Sequence, residues 1–227
     1  MIPPEADAEF VANREEVLET YELPYDPACP VICMDEQPVQ LLKETRTPIP
    51  ATKEHGQRVG YEYERAGTAN IFMFTEPLAG WREVSVRKTK TKVDWAIEMA
   101  RLLEGRYAHC EKVILVSDNL NTHTKGAFYA AFPPERARQL VRRIEFRHTP
   151  KHGSWLRLLN EHRAENELSS VTRQCVDGRR FGDIETLRDE TAAWSTDVNS
   201  TQRGVDWQMK IDDARRKLTS VYPKIKL

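Results

Sequence analysis

The stretch VILVSDNLNTHT, from Val113 to Thr124, decides the fold class of this chain. Four apolar residues lead into Ser117 and Asp118, and polar residues then continue to His123. A short apolar run that ends in polar turn residues is typical of a strand buried on both faces of a sheet. The stretch therefore predicts a central strand with a carboxylate at its exit.

Strands and helices alternate on either side of this stretch. An earlier strand, PVICMDEQ (Pro30–Gln37), is expected to end in its two acidic residues, and a hairpin follows over Thr68–Thr89 around a Pro-Leu-Ala-Gly turn. Apolar residues spaced three and four apart predict a helix over 91–104, and Ile144–Pro150 is expected to be a further strand. The hairpin favours antiparallel pairing and the later alternation favours parallel additions, so we predict a mixed α/β sheet with helices packed on it.

Composition limits the classes of function. The chain carries 34 basic and 35 acidic residues, so its formal net charge of −1 excludes a nucleic-acid surface that extends over the whole molecule. No apolar run approaches the roughly 20 residues of a membrane span, and the N-terminus lacks the features of a secretory signal. The four cysteines form no CxxC pair, which indicates reduced thiols rather than a zinc site. We expect a cytoplasmic protein without a membrane partner.

Two predicted strands end in aspartates, Asp35 and Asp118. Functional sites in open α/β sheets lie at the carboxyl ends of strands, and neighbouring strands would bring the two carboxylates together. Like charges that close resist joint ionisation unless a cation neutralises them, and Mg²⁺ prefers such oxygen ligands. A third carboxylate would complete a two-metal site. Aspartates at strand ends also form turns and cap helices, so the pattern by itself leaves that alternative open.

Several blocks of the sequence resemble a known family, and they follow one another in the order typical of that family. They are CMDEQPVQLL, YEYERAGTANIFMFTEPLAGWR, LVSDNLNTHT, FRHTPKHGSWL and AENELSSVTRQC. Together they resemble the catalytic half of bacterial insertion-sequence transposases of the mariner-like superfamily, which are DDE endonucleases. The resemblance implies a ribonuclease-H-like fold over residues 30–175. It leaves an N-terminal helix and extended lead-in over 1–29 and a helical C-terminal extension over 176–227.

The resemblance also implies roles for single residues. Asp35 and Asp118 match the first two metal-binding aspartates, and Asn119 and His123 would shape the same site. The cofactor would be two Mg²⁺ or Mn²⁺ ions. Strand cutting and joining would act on double-stranded DNA, both transposon ends and target, and the active form would be a homodimer.

The third acid is ambiguous, because about five additional residues separate SWL from AENELS in this chain. Glu165 keeps the flanking letters of the family motif, whereas Glu161 lies closer to the usual distance from Asp118. Five inserted helical residues would turn a side chain by roughly 140°. Glu165 is the preferred ligand; Glu161 and a broken site are the alternatives.

Basic residues near these motifs are candidate DNA contacts through the phosphate backbone. They are Lys88, Lys90 and Lys92 in the run VRKTKTK, and Lys151 and His152 in HTPKHGSW. A solvated strand end is the competing interpretation of the first run.

Full-length relatives carry N-terminal helix-turn-helix modules, which this sequence does not include. The resemblance therefore implies a bacterial, nucleoid-associated transposase catalytic fragment. The alternative is an inactive remnant that only binds DNA or dimerises, and a generic nuclease of the same architecture is a further possibility.

Overall fold

The computed structural model describes residues 8–56, 58, 60–150, 163–201, 204–208 and 210–217. Its strands are β1 (Val31–Glu44), β2 (Tyr63–Glu76), β3 (Trp81–Arg87), β4 (Val113–Ser117) and β5 (Ile144–His148). Its helices are α1 (Ala8–Glu22), α2 (Lys92–Glu104), α3 (Lys125–Ala131), α4 (Pro134–Arg142), α5 (Arg163–Val171), α6 (Ile184–Thr201) and α7 (Ile211–Lys217), and a π-helical turn, Thr172–Val176, continues α5.

The five strands form one mixed sheet in the order β3-β2-β1-β4-β5. The β1–β2 and β2–β3 pairs are antiparallel, and the β1–β4 and β4–β5 pairs are parallel. Every residue of β4 is buried, as its apolar sequence predicts for a strand covered on both faces. The predicted mixed α/β sheet is thus confirmed, and β1 and β4 lie side by side.

The prediction that the first strand ends at Asp35 and Glu36 is wrong. β1 continues to Glu44, because β2 offers an antiparallel partner as far as the pair Glu44–Tyr63. Pro38 is tolerated within β1, since β4 pairs with this strand only as far as Cys33 and leaves that side of β1 without a ladder to interrupt.

Two layers of helices cover the sheet. Helices α2, α3 and α4 pack on one face in a cluster that includes Met34, Phe72, Trp95 and Phe128. Helices α1, α5 and α6 cover the other face, where two smaller clusters contain the buried side chains Val17, Cys33, Val116, Ala164, Leu168, Leu187 and Trp194. Residues of β1 and β4 therefore alternate between two buried environments.

Local signals explain the boundaries of several helices. The Thr91 side chain accepts a hydrogen bond from the backbone of Asp94, and the Asp94 carboxylate accepts one from the backbone of Thr91, which fixes the start of α2. Pro133 and Pro134 separate α3 from α4. All four cysteines are free thiols. In the described part of the chain, no helix has the length and apolar composition needed to span a membrane.

Candidate active site

Asp35 and Asp118 emerge at the same end of two neighbouring strands. The parallel pairing of β1 with β4 ends at Cys33 opposite Val116, and each aspartate lies two residues beyond its member of this pair. Side chains alternate along a strand, so Asp35 points to the same face as Cys33. That face is the one covered by α1 and α5. Asp35 is therefore aimed toward α5, although it lies within β1 rather than at its end.

Three predicted acids border one cavity. Asp35, Asp118 and Glu165 line a space of about 30 Å³, and Glu165 reaches it from the first turn of α5. The remaining wall is formed by Tyr21, Cys33, Met34, Val116, Ser117, Thr149, Arg163 and Ala164. A space of this size accommodates a single ion or water molecule. The fold thus brings together carboxylates that are 83 and 47 residues apart along the chain.

The pKa of Asp35 is strongly raised. Burial is the largest cause, and it raises the pKa of Asp35 to about 7. The backbone N–H of Glu36, which donates to Asp35 Oδ1 at 2.7 Å, offsets part of this rise. The negative charges of Asp118 and Glu165 raise the pKa further. The cavity therefore disfavours a third negative charge when no cation is bound.

We expect the metal-free protein to lose stability as the pH rises through about 7, and Asp35→Asn to remove the part of this loss that comes from Asp35 while the part that comes from His123 remains. The pKa of Asp35 is about 7 in the folded protein and 3.8 as the ordinary value, so the folded state binds the proton more tightly. Its contribution to stability is complete below pH 3.8 and is lost as the pH rises through 7. The loss amounts to on the order of 2–4 kcal/mol.

Urea unfolding in EDTA at about pH 5 and about pH 8 measures this effect. At the higher pH, Asp35→Asn should be more stable than the wild type. Glu135→Gln, which alters an exposed carboxylate in the first turn of α4, is the matched control and should follow the wild type. Equal stability of the wild type and Asp35→Asn at the higher pH would contradict the prediction.

His123 connects Asp118 to a further acid. Its Nδ1 lies 2.6 Å from Asp118 Oδ1, an ion-pair contact. Its Nε2 lies 3.3 Å from Glu36 Oε2, and its buried ring stacks on Trp95. Burial lowers the pKa of His123, but the contacts with the two carboxylates outweigh burial and raise that pKa to about 9. Asn119, also predicted to shape the site, is exposed in the turn after β4.

Glu36 is the residue that the sequence interpretation left without a role. It follows Asp35 directly in β1, so its side chain points to the opposite face of the sheet and is 4% exposed there. Because neighbouring side chains in a strand point to opposite faces of the sheet, the sequence could have predicted that Asp35 and Glu36 lie on different faces. No local pattern indicated, however, that His123 would lie beside Glu36.

One residue of the predicted DNA-contact set, Lys90, lies beside Glu36. Lys90 Nζ lies 3.4 Å from Glu36 Oε1. Lys88 and Lys92 are exposed, and Lys88 lines a separate cavity beside β3. The predicted residues that lie outside the described ones are Lys151, His152 and Glu161.

The chemistry of the three acids suits a hard divalent cation. Within the described residues, neither Asp35 nor Asp118 forms an ion pair with an arginine, and the carboxylate of Asp118 contacts His123 instead. Carboxylate oxygens in mutual repulsion are the ligands that Mg²⁺ or Mn²⁺ would neutralise. Among the described residues, no three His, Cys, Asp or Glu side chains lie close enough together to hold a metal ion in this conformation, so the three acids border the cavity without converging on one point.

Comparisons with known proteins show the family and the fold of this chain. A family model described as DDE superfamily endonuclease matches residues 30–188. The structure resembles the Mos1 strand transfer complex with a TM-score of 0.53 at 13% identity, covering 86% of this chain and 56% of that chain. It also resembles the Mos1 mariner paired end complex with Mn, with a TM-score of 0.52 at 13% identity, covering 87% of this chain and 58% of that chain.

The catalytic domain of Mos1 mariner transposase gives a TM-score of 0.51 at 11% identity, covering 86% of this chain and 85% of that chain. These likenesses show the fold, and they confirm the predicted ribonuclease-H-like sheet. The chain spans less than two thirds of the protein chain in each of the two complexes. No curated protein matches the sequence significantly.

The family model spans more than half of the chain, from the first strand into α6. Asp35, Asp118 and Glu165 all fall within the matched residues. The chain belongs to the DDE superfamily of endonucleases.

Proposed function

We propose that this chain is the catalytic domain of a DNA transposase of the bacterial insertion-sequence type, which cuts and joins DNA strands with divalent metal ions held by Asp35, Asp118 and Glu165. Water first attacks the phosphorus at a transposon end and releases a 3′ hydroxyl. That hydroxyl then attacks a phosphorus of the target DNA, and a new phosphodiester bond forms as the 3′ oxygen of the target leaves.

One observation carries the proposal: carboxylates from β1, the β4 exit and α5 border a single cavity. Acidic residues that only cap helices or form turns are not expected to border one cavity from three separate elements. Membership in the DDE endonucleases supports the assignment. The Mos1 structures of similar fold include a paired end complex with Mn and a strand transfer complex, which fits metal-dependent chemistry on DNA.

Two ions bound at the cavity would polarise the scissile phosphate and lower the pKa of the attacking water or hydroxyl. The residues of the chain hold the carboxylates in position. β1 and β4 hold two carboxylates at the end of a rigid parallel pair, and α5 adds the third across the cavity. Mg²⁺ commonly completes its coordination shell with substrate phosphates, so the scissile phosphate would supply oxygen ligands beside the three carboxylates.

We propose that residues 30–175 form the catalytic unit, flanked by an N-terminal helix with its lead-in (1–29) and a C-terminal helical extension (176–227). Helix α6 of this extension packs on the sheet through Leu187 and Trp194. The partners would be double-stranded DNA, both transposon ends and target, and a second copy of the chain. Among the predicted lysines, Lys90 contacts Glu36, and we propose that it also approaches the DNA backbone.

Nicking of a supercoiled plasmid tests the proposed function without knowledge of the transposon ends. Purified protein should convert supercoiled to relaxed plasmid with Mn²⁺ or Mg²⁺, and EDTA should stop the reaction. The products should carry 3′ hydroxyl groups. A protein that binds the plasmid but does not cut it with either metal would instead be the inactive remnant.

A further inference from the structure

The position of the Asp118 side chain depends on the residues that contact its carboxylate. It lies in the turn that follows β4, and its side chain is 37% exposed. In the described part of the chain, His123 is the residue that contacts its carboxylate. A metal ligand must be held within about 0.5 Å of its productive position to work well. The orientation of the His123 ring therefore controls the placement of Asp118.

The plane of the His123 ring is fixed by packing. The ring is fully buried and stacks on the equally buried Trp95, with centroids 5.4 Å apart and an interplanar angle of 29°. Stacking of this kind leaves the ring free to turn within its own plane. A partner at the ring edge opposite Asp118 is needed to remove that freedom.

Glu36 occupies that edge. Its Oε2 lies 3.3 Å from His123 Nε2, while its Oε1 lies 3.4 Å from Lys90 Nζ. The Glu36 carboxylate is thus held from one side by an exposed lysine and holds the imidazole from the other. Because Glu36 is buried in β1 next to Asp35, the same strand that carries the first acid also fixes the second.

We propose that Glu36 is a positioning residue for the metal site, which holds Asp118 in place through His123. This inference rests on the proposed function. Hydrogen-bonded partners of metal ligands set the orientation of those ligands, and their loss typically weakens metal binding by about 10- to 100-fold. A carboxylate that merely balances the charge of Lys90 would affect folding stability and leave the affinity for metal unchanged.

Glu36→Gln keeps the size of the side chain and removes its charge. We expect it to raise the Mn²⁺ concentration that half-saturates the rise in melting temperature by about 10- to 100-fold. Glu98→Gln is the matched control, because Glu98 is equally buried and paired with Arg87 and Arg101 but does not contact the acids. It should lower the melting temperature in EDTA and leave the Mn²⁺ midpoint within about 2-fold of the wild type.

A double-mutant cycle shows whether Glu36 acts through His123. In a His123→Gln background, Glu36→Gln should no longer shift the Mn²⁺ midpoint. A wild-type midpoint in Glu36→Gln, or an undiminished shift in the His123→Gln background, would overturn the positioning role. If the wild-type protein shows no Mn²⁺-dependent rise in melting temperature, the metal site of the proposed function fails, and this role fails with it.

Discussion

Asp35→Asn and Asp118→Asn are each expected to lower the rate of Mn²⁺-dependent plasmid nicking by about 10³-fold or more. Asparagine keeps the size of each side chain but removes the negative charge that holds a divalent ion. The two carboxylates border one cavity, and the pKa of Asp35 is raised there to about 7. Each carboxylate is a separate ligand of the same site, so we expect that neither can replace the other. Initial rates at saturating Mn²⁺ measure the loss.

Residues that act as a unit give non-additive losses. The double variant Asp35→Asn/Asp118→Asn should therefore be about as inactive as either single variant. Glu135→Gln, on the exposed side of α4, is the control and should cut at the wild-type rate. A single variant that retains more than about a tenth of the wild-type rate would show that its aspartate does not hold the metal.

Glu165→Gln is expected to cause a similar loss, about 10³-fold, whereas Glu161→Gln should change the rate by less than about 3-fold. Glu165 borders the cavity with the two aspartates and contributes to the raised pKa of Asp35. Glu161 lies four residues earlier, beyond the described start of α5. Parallel measurements of the cutting rate and of the Mn²⁺ midpoint compare the two variants.

Glu167→Gln provides the control on the same helix. Glu167 accepts hydrogen bonds from Arg82 at 2.8 and 2.9 Å, so its variant should unfold at a lower temperature but cut normally. The opposite pattern, with a large loss in Glu161→Gln and none in Glu165→Gln, would assign the third ligand to Glu161. Normal cutting by both glutamate variants would refute the three-carboxylate site.

The order of elements and the central strand could be predicted from local sequence. The apolar run Val113–Val116 specifies a buried strand, and the spacing of apolar residues in 91–104 specifies α2, because each pattern follows from the geometry of one element. The Pro-Leu-Ala-Gly turn likewise placed the β2–β3 hairpin. Assigning Asp35 and Asp118 to one site required the family resemblance in addition, since aspartates at strand ends are common.

The sequence by itself therefore determined the mixed sheet and indicated that Asp35 and Asp118 belong to two of its strands or their exits. Only the tertiary structure decided that β1 runs on to Glu44, since its length depends on the pairing that β2 offers. It also decided that Glu36 meets His123 behind Asp118, and that Glu165 faces Asp35 across a cavity. Such contacts join residues far apart in the chain, and no local periodicity encodes which distant side chains will meet.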